Sequence, residues 1–196
     1  SFVFVMPGVA TAFHTKAFIE KIGFDHDTIT EDLDFTYKMH KHNLKIVFNR
    51  NAICYTQDPI SLSDYINQMR RWFGGGWQNL RKHYQIAFSR PNRAMELSVA
   101  YAEGLAFSVL IFILPFLNPI VWLWSLVAFI LVSFAFAAYA AVRERRLAIL
   151  LVPIPFVILV YTNAYIYLEQ FALEIILKRQ NLVWFQPKRV NTYFSH

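Results

Sequence analysis

The sequence predicts an α/β segment followed by α-helices that enter a membrane. Of 196 residues, 56% are hydrophobic and 16% are charged, which is too apolar for an ordinary soluble domain. Positions 104–142 contain no charged residue, a run long enough for nearly two bilayer crossings. Charged residues cluster instead in positions 1–96. The two parts of the chain therefore face different solvents.

Composition also excludes several classes of protein. The nineteen Phe residues and the low charge exclude intrinsic disorder. The single cysteine, Cys54, excludes a disulfide framework and a cysteine-rich zinc site. The basic, aromatic stretch 70–83 lies beside the membrane segments, so lipid headgroups are a better partner for it than nucleic acid.

Short apolar runs bounded by turn residues predict four strands in the first part of the chain. These predicted strands are 2–5, 9–13, 44–48 and 52–56. Helices are expected over 15–21, where Thr15 can cap and Gly23 can stop the helix, and over 32–42, which has a partial apolar face. The order β-β-α-α-β-β indicates an α/β segment.

Two amphipathic helices are predicted before the membrane part. Ser61 or Ser63 opens the first, and the three glycines 74–76 are expected to stop it. The second runs from Trp77 towards Phe88. Apolar side chains on one face and basic side chains on the other predict that both lie at a bilayer surface. The basic residues expected near the headgroups are Arg70, Arg81 and Lys82.

The apolar part predicts a transmembrane hairpin of 97–117 and 119–142, because Asn118-Pro119 ends one helix and opens the next. Arginines at 143, 145 and 146 follow the hairpin, so the positive-inside rule places both its ends and the N-terminal part in the cytoplasm. The stretch 147–177 predicts one kinked or tilted span, and a re-entrant hairpin is the alternative. The count of membrane helices is thus two or three.

Two short motifs contain candidate functional side chains. Thr30-Glu31-Asp32 begins a predicted helix, where it is either a helix cap or a reactive carboxylate group. Gln68, Arg71 and Trp72 share one helical face, which suits either a solvated interfacial helix or a site for a phosphorylated sugar. Each motif alone is weakly specific.

In this order, and followed by membrane segments, the two motifs are specific. The sequence resembles the membrane-embedded family 2 glycosyltransferases, a group that contains cellulose, chitin, hyaluronan and poly-N-acetylglucosamine synthases. The resemblance runs through GVATAFHTKAF, IGFDHDTITEDLDFTYKMHKHNLKIVF, YINQMRRWFGGGWQNL and the apolar tail. It implies the C-terminal, acceptor half of a GT-A domain, then interface helices and two or three transmembrane helices. The implied boundaries are 1–60, 61–96, 97–177 and a basic tail, 178–196.

The resemblance also implies roles for the first motif. Asp32, the aspartate of the TED motif, is implied to be the general base that deprotonates the acceptor hydroxyl during inverting transfer. Thr30 and Glu31 are implied to shape the acceptor pocket. Gly8 and its strand are implied to line that pocket, where a missing side chain lets the sugar approach the backbone.

The residues of the second motif, QxxRW, are implied to contact both the donor and the acceptor. Gln68 and Arg71 would contact the diphosphate of the nucleotide-sugar donor and stabilise the leaving group. Trp72 would stack on the acceptor sugar. The acceptor is implied to be a growing glycan. Transfer to a lipid-linked acceptor and a non-catalytic membrane scaffold remain alternatives.

The resemblance implies a divalent cation, Mg or Mn, whose ligands lie in the nucleotide-binding half, expected upstream of Ser1. Asp25-His26-Asp27 and the Asp32/Asp34 pair imitate a metal motif, but the family pattern argues against both, so no metal ligand is expected in this chain. His40 and His42 are expected on a solvated basic face. Without the nucleotide-binding half, the chain alone is expected to be inactive.

Overall fold

The computed structural model describes residues 3–15, 22–87 and 91–188, and its regular structure in these ranges is helical. The chain divides into two compact units. The first consists of Ser1–Ala100 together with Glu169–His196, and the second of Tyr101–Leu168. The expected helix 15–21 lies almost entirely outside the described residues.

The four expected strands are not formed in the part of the chain that the structure describes. A strand is stable only when a neighbouring strand takes up its backbone N–H and C=O groups. The apolar side chains of these segments are not buried either: Phe48 is 82% exposed and Tyr55 is 88% exposed. The α/β character predicted for this part is therefore not shown.

Helix α1, Glu31–Lys41, is the centre of the first unit. It agrees with the prediction to within one residue at each end, because acidic residues in its first turn and basic residues in its last turn complement the helix dipole. It is buried on more than one side: Phe35 and Tyr37, which lie on different faces, are each 1% exposed. Phe35 packs against Met6 and Met39, with partly buried apolar side chains around them.

Helix α2, Leu62–Lys82, begins as predicted, with the Ser61 hydroxyl accepting a hydrogen bond from the Asp64 amide at 3.1 Å. The predicted stop at the glycines is wrong, because α2 continues through all three. Each glycine costs a helix about 1 kcal/mol relative to alanine. Here Gly74 and Gly75 are buried in contacts with other segments, which offset that cost.

The separate helix expected from Trp77 is consequently the second half of α2. A four-residue helix, α3, follows at Tyr84–Ala87. Phe88, the expected end of that separate helix, lies outside the described residues. Whether α2 lies on a bilayer surface stays a prediction.

Three apolar helices follow: α4 (Pro91–Leu117), α5 (Pro119–Glu144) and α6 (Pro153–Phe171). The break at Asn118 is confirmed, because its side chain accepts a hydrogen bond from the Val121 amide at 3.1 Å and caps α5. A 3-10 turn, Leu147–Leu151, precedes α6, and a π-helical turn, Ala172–Ile176, continues it.

Three segments of these helices are long and apolar enough to cross a membrane: Leu97–Leu117, Pro119–Glu144 and Pro153–Ile176. Of the predicted two or three membrane helices, the structure thus contains three candidates. Because α6 is continuous, the re-entrant hairpin considered for this stretch is not formed. One helix preceded by a short turn is found instead.

Aromatic side chains join the helices of the second unit. The Trp122 indole N–H donates to the Tyr161 hydroxyl at 2.9 Å. The ring of Tyr161 also meets that of Phe112, with centroids 5.9 Å apart. A cavity of about 230 Å³ lies among α4, α5 and α6, and its lining is almost wholly apolar.

Candidate functional site

Asp32 lies in the first turn of α1, where the helix dipole favours an anion. One carboxylate oxygen, Oδ2, accepts a hydrogen bond from the Gly8 amide at 3.3 Å. The other, Oδ1, accepts from the Leu33 amide at 2.8 Å. A Cβ added to Gly8 would lie 3.9 Å from Asp32 Oδ2, which is ordinary contact. The structure therefore brings together two residues that the sequence assigns to one pocket.

The two residues before Asp32 have opposite surroundings. Glu31 is exposed, whereas Thr30 is 8% exposed. Thr30 packs on α2, where its hydroxyl accepts a hydrogen bond from the Asn79 amide nitrogen at 2.9 Å. It makes no side-chain cap for α1. The Thr30 side chain thus faces another helix, while Glu31 is free to meet solvent.

The residues of the second motif all lie on α2, with Gln68 half-buried. The Arg71 guanidinium lies 5.3 Å from the ring centroid of Trp184, a cation–π distance. Its Nε is buried and makes no hydrogen bond among the described residues. Trp72 is 50% exposed, so its ring is accessible for stacking. Arg71 therefore keeps hydrogen-bonding capacity for an anionic group.

A network of charges connects α1 to the end of α2. Asp34, 1% exposed, accepts hydrogen bonds from His83 Nε2 at 2.6 Å and pairs with Lys82 Nζ at 2.8 Å. Burial acts to raise the pKa of Asp34, but the bonds from His83 and Lys82 outweigh it and lower this pKa to about 2. Lys38 adds a second ammonium group, at 3.3 Å.

The same lysine neutralises the loop before α1. Lys82 Nζ lies 2.7 Å from an oxygen of Asp25 and 2.6 Å from one of Asp27. Burial acts to lower the pKa of Lys82, and its hydrogen bonds to the three aspartates raise it well above its ordinary value. Hydrogen bonds from Lys38 and Lys82 lower the pKa of Asp25.

Oxygens of Asp25, Asp27 and Asp34 lie within 4.8 Å of one another, close enough to share a metal ion. The Lys82 ammonium, however, already contacts one oxygen of each carboxylate. A divalent cation there would have to displace a lysine that these carboxylates hold. This acidic cluster is accordingly an ion-pair network within the protein, and it does not fit the cation that the resemblance implies.

Sequence reasoning missed several buried polar residues on the second half of α2. Gln78, 2% exposed, accepts from the Ile29 amide at 3.0 Å and donates to Glu174 at 2.8 Å. It thereby connects the loop before α1 to the π-helical turn. Glu174 is itself 1% exposed. The available signal was helical spacing, which places position 78 seven residues, or two turns, after Arg71 on the same face of α2.

The histidine prediction is half right. His42 is exposed. His40, in contrast, is 8% exposed, and its Nε2 lies 2.8 Å from the Val3 carbonyl oxygen. The expected solvated face is thus wrong for His40, because position 40 lies one helical turn after the fully buried Thr36, on the same side of α1.

Comparison with known proteins gives a family and partial relatives. Residues 1–169 match the model of the family described as glycosyl transferase family group 2. Poly-beta-1,6-N-acetyl-D-glucosamine synthase of Staphylococcus aureus (strain COL) is 31% identical over 77 residues, which is 39% of this chain and 19% of the synthase. YaiP, an uncharacterised glycosyltransferase of Escherichia coli (strain K12), is 31% identical over 87 residues, 44% of this chain and 22% of YaiP. The chain thus spans about a fifth of the length of the curated relatives it matches. No solved structure matches it.

Proposed function

The chain belongs to glycosyl transferase family group 2, and from this membership we propose that it is the acceptor-binding and membrane part of an inverting hexosyltransferase. The observation that supports this most directly is the placement of Asp32. Its carboxylate lies at the N-terminal end of α1, half-buried and beside the Gly8 amide. A general base needs such a fixed position within reach of the proton that it removes.

In the proposed reaction, Asp32 takes the proton of an acceptor hydroxyl while that oxygen attacks the anomeric carbon of the donor sugar. A new bond forms between the oxygen and the anomeric carbon. The bond from that carbon to the diphosphate breaks, and its electron pair leaves with the nucleoside diphosphate. Attack opposite to the leaving group inverts the anomeric configuration.

Arg71 and Gln68 are proposed to bind the donor diphosphate and stabilise the charge that develops on it. The unpartnered Nε of Arg71 supports this role, because a guanidinium binds phosphate oxygens through such N–H groups. Trp72, half exposed, would stack on the acceptor sugar, and Glu31 would hydrogen-bond its hydroxyls. Thr30 would not contact the acceptor; it would shape the pocket indirectly, by holding the start of α1 against α2.

We propose a nucleotide-diphosphate sugar as donor and a growing polysaccharide or oligosaccharide as acceptor. The similarity to a poly-beta-1,6-N-acetyl-D-glucosamine synthase supports a polysaccharide product. The three candidate membrane helices support a membrane location, and the arginines at 143, 145 and 146 support a cytoplasmic site.

Positions 1–60 are proposed to complete a GT-A sheet with a nucleotide-binding half that also holds the divalent cation. The exposed apolar side chains of this part support a missing partner layer, since Val47, Phe48, Ile53 and Tyr55 are each at least 71% exposed. The proposal predicts that the 196-residue chain alone transfers no sugar. When bound, the cation would neutralise diphosphate charge.

The test is sugar transfer by the protein completed with its nucleotide-binding half, in membrane vesicles supplied with nucleotide sugars. Asp32→Asn is expected to abolish transfer and leave membrane insertion intact. Asp58→Asn, which changes an exposed carboxylate in the same way, is expected to keep wild-type transfer. Transfer retained by Asp32→Asn would rule out its role as the base.

A further inference from the structure

Thr30 packs directly on the backbone of α2 at Gly75. A Cβ added to Gly75 would overlap with Oγ1 and Cγ2 of Thr30 and would lie 2.9 Å from its Cβ. Real Cβ atoms essentially never make such contacts, so only glycine lets the two segments approach this closely. The contact is long-range, since the two positions belong to different helical segments.

Asn79, one turn further along α2, fixes the Thr30 side chain in this contact. Its Nδ2 lies 2.9 Å from Thr30 Oγ1, 3.2 Å from the Thr30 carbonyl oxygen and 3.0 Å from the Gly75 carbonyl oxygen. Asn79 is fully buried. Threonine is β-branched and stiff at χ1, so this hydrogen bond holds its side chain in one orientation.

These contacts lie on the same face of α2 as the donor-binding residues. Gln68, Arg71, Gly75 and Asn79 follow one another at intervals of three, four and four residues, which places them on one helical stripe. Thr30 in turn precedes Asp32 by two residues. The surface that would bind the donor diphosphate thus continues into the surface that holds the start of α1.

A second connection fixes the direction of α1. Asp34 pairs with Lys82 and His83 at the C-terminal end of α2. Asp32 therefore lies between two anchoring points, at Thr30 and at Asp34. With two points fixed, the first turn of α1 cannot shift or rotate relative to α2 without breaking one of them.

We propose that Gly75 and Asn79 are positioning residues that set the spacing between the Asp32 carboxylate and the diphosphate-binding side chains on α2. This inference rests on the proposed function. Its physical basis is that transfer requires the base and the leaving-group contacts in register, and a displacement of about 1 Å can cost on the order of 10²-fold in rate.

The test compares Gly75→Ala with Gly74→Ala in the completed protein. A Cβ at Gly74 would meet the Gln170 Oε1 atom at 2.8 Å, and this atom is the far end of a long side chain that can adjust more cheaply than the Thr30 Cβ. Both substitutions give the same gain in helix propensity. Gly74→Ala is therefore a matched control, expected to keep the wild-type kcat.

Gly75→Ala is expected to lower kcat on the order of 10²-fold while the KM for the donor changes by less than about twofold, because Gln68 and Arg71 keep their positions on α2. Adding Thr30→Ala removes Oγ1 and Cγ2, the two atoms that lie nearest to the new Cβ, and is expected to recover part of the kcat. The recovery is incomplete because the hydrogen bond from Asn79 to the Thr30 hydroxyl is lost as well. Equal kcat for the two glycine variants would overturn the inference. So would an equal loss in the single and the double variant.

A second readout separates the contact from the chemistry. In the 196-residue chain, Gly75→Ala is expected to lower the melting temperature, and adding Thr30→Ala is expected to reverse part of that loss, so that the two substitutions are not additive. If this coupling is found and the completed wild-type protein transfers no sugar, the proposed function fails and the helix contact stands. If the coupling is absent, the positioning inference fails whatever the activity.

Discussion

Replacing Asp34 by asparagine removes one negative charge from the network between α1 and the end of α2. The carboxylate is 1% exposed and is held by His83 at 2.6 Å and Lys82 at 2.8 Å. Its pKa is lowered from 3.8 to about 2. At about 1.36 kcal/mol for each tenfold change in proton affinity, this corresponds to about 2 kcal/mol of stabilisation in the folded state.

Loss of one partner from a fully buried ion pair costs more, about 3–5 kcal/mol, because the other charge is left uncompensated. The charge of Lys82 stays compensated, since Asp25 and Asp27 still accept its hydrogen bonds. We therefore expect the smaller figure for Asp34→Asn, about 2 kcal/mol. At about 2–4 °C per kcal/mol for a chain of this size, the melting temperature would fall by about 4–8 °C.

The assay is thermal unfolding of the 196-residue chain in detergent, followed by tryptophan fluorescence. Trp77 is 4% exposed and lies against Phe171 in the same unit, so it reports on this packing. The control is Asp27→Asn, which removes an exposed partner of the same lysine. An exposed ion pair contributes about 0–1 kcal/mol, so this variant should melt close to the wild type.

The pH dependence of the stability difference between wild type and Asp34→Asn can refute this explanation. A carboxylate whose pKa is lowered on folding stabilises the fold above its unfolded pKa, and that stabilisation is lost as the pH falls through the folded pKa. The difference between wild type and Asp34→Asn should therefore be full at neutral pH and shrink between pH about 4 and about 2. A difference that is absent at neutral pH, or unchanged at low pH, would refute this account of Asp34.

Two further predictions concern contacts of α2. Gln78→Ala should lower the free energy of unfolding by about 1–3 kcal/mol in denaturant titrations, because the buried Ile29 amide loses its acceptor and the Glu174 carboxylate loses one of its donors. An unchanged midpoint would contradict this. Arg70→Ala should lower it by no more than about 1 kcal/mol, since the Arg70–Glu169 pair at 2.8 Å is partly exposed and salt-screened. A loss comparable to that of Gln78→Ala, or one that persists in molar salt, would show that the pair is more deeply coupled than its exposure indicates.

The elements that the sequence predicted correctly have local signals. Helix α1 has an acidic first turn and a basic last turn, and α2 begins at a capping serine. Asn118-Pro119 marks the start of α5 in the same local way. Each signal depends on residues within one helical turn, so a single sequence contains it.

The incorrect predictions depend on contacts between distant positions. Glycines usually end a helix, but Gly75 stays helical because Thr30 packs against it. The four predicted strands are not formed in the described residues for a related reason: a strand needs partner strands that its own sequence does not specify.

The contacts of the residues that the resemblance implies for the site were only partly predictable. The resemblance named Asp32 and Gly8, and the structure joins them by a hydrogen bond. It also named Thr30, which the structure buries against α2. The stacking of Trp184 on Arg71 had no sequence signal, since the tail approaches α2 only in the folded chain.

The proposed roles of Asp32 and Arg71 are best tested by measuring nucleoside-diphosphate binding and sugar transfer together in the completed protein. Asp32→Asn is expected to bind the nucleoside diphosphate with wild-type affinity and to transfer no sugar, because it lacks only the base. Arg71→Ala should lose at least about tenfold in that affinity, as expected when a charged hydrogen bond to phosphate is removed. Transfer by Asp32→Asn, or wild-type diphosphate affinity in Arg71→Ala, would contradict the assignment of base and donor contacts.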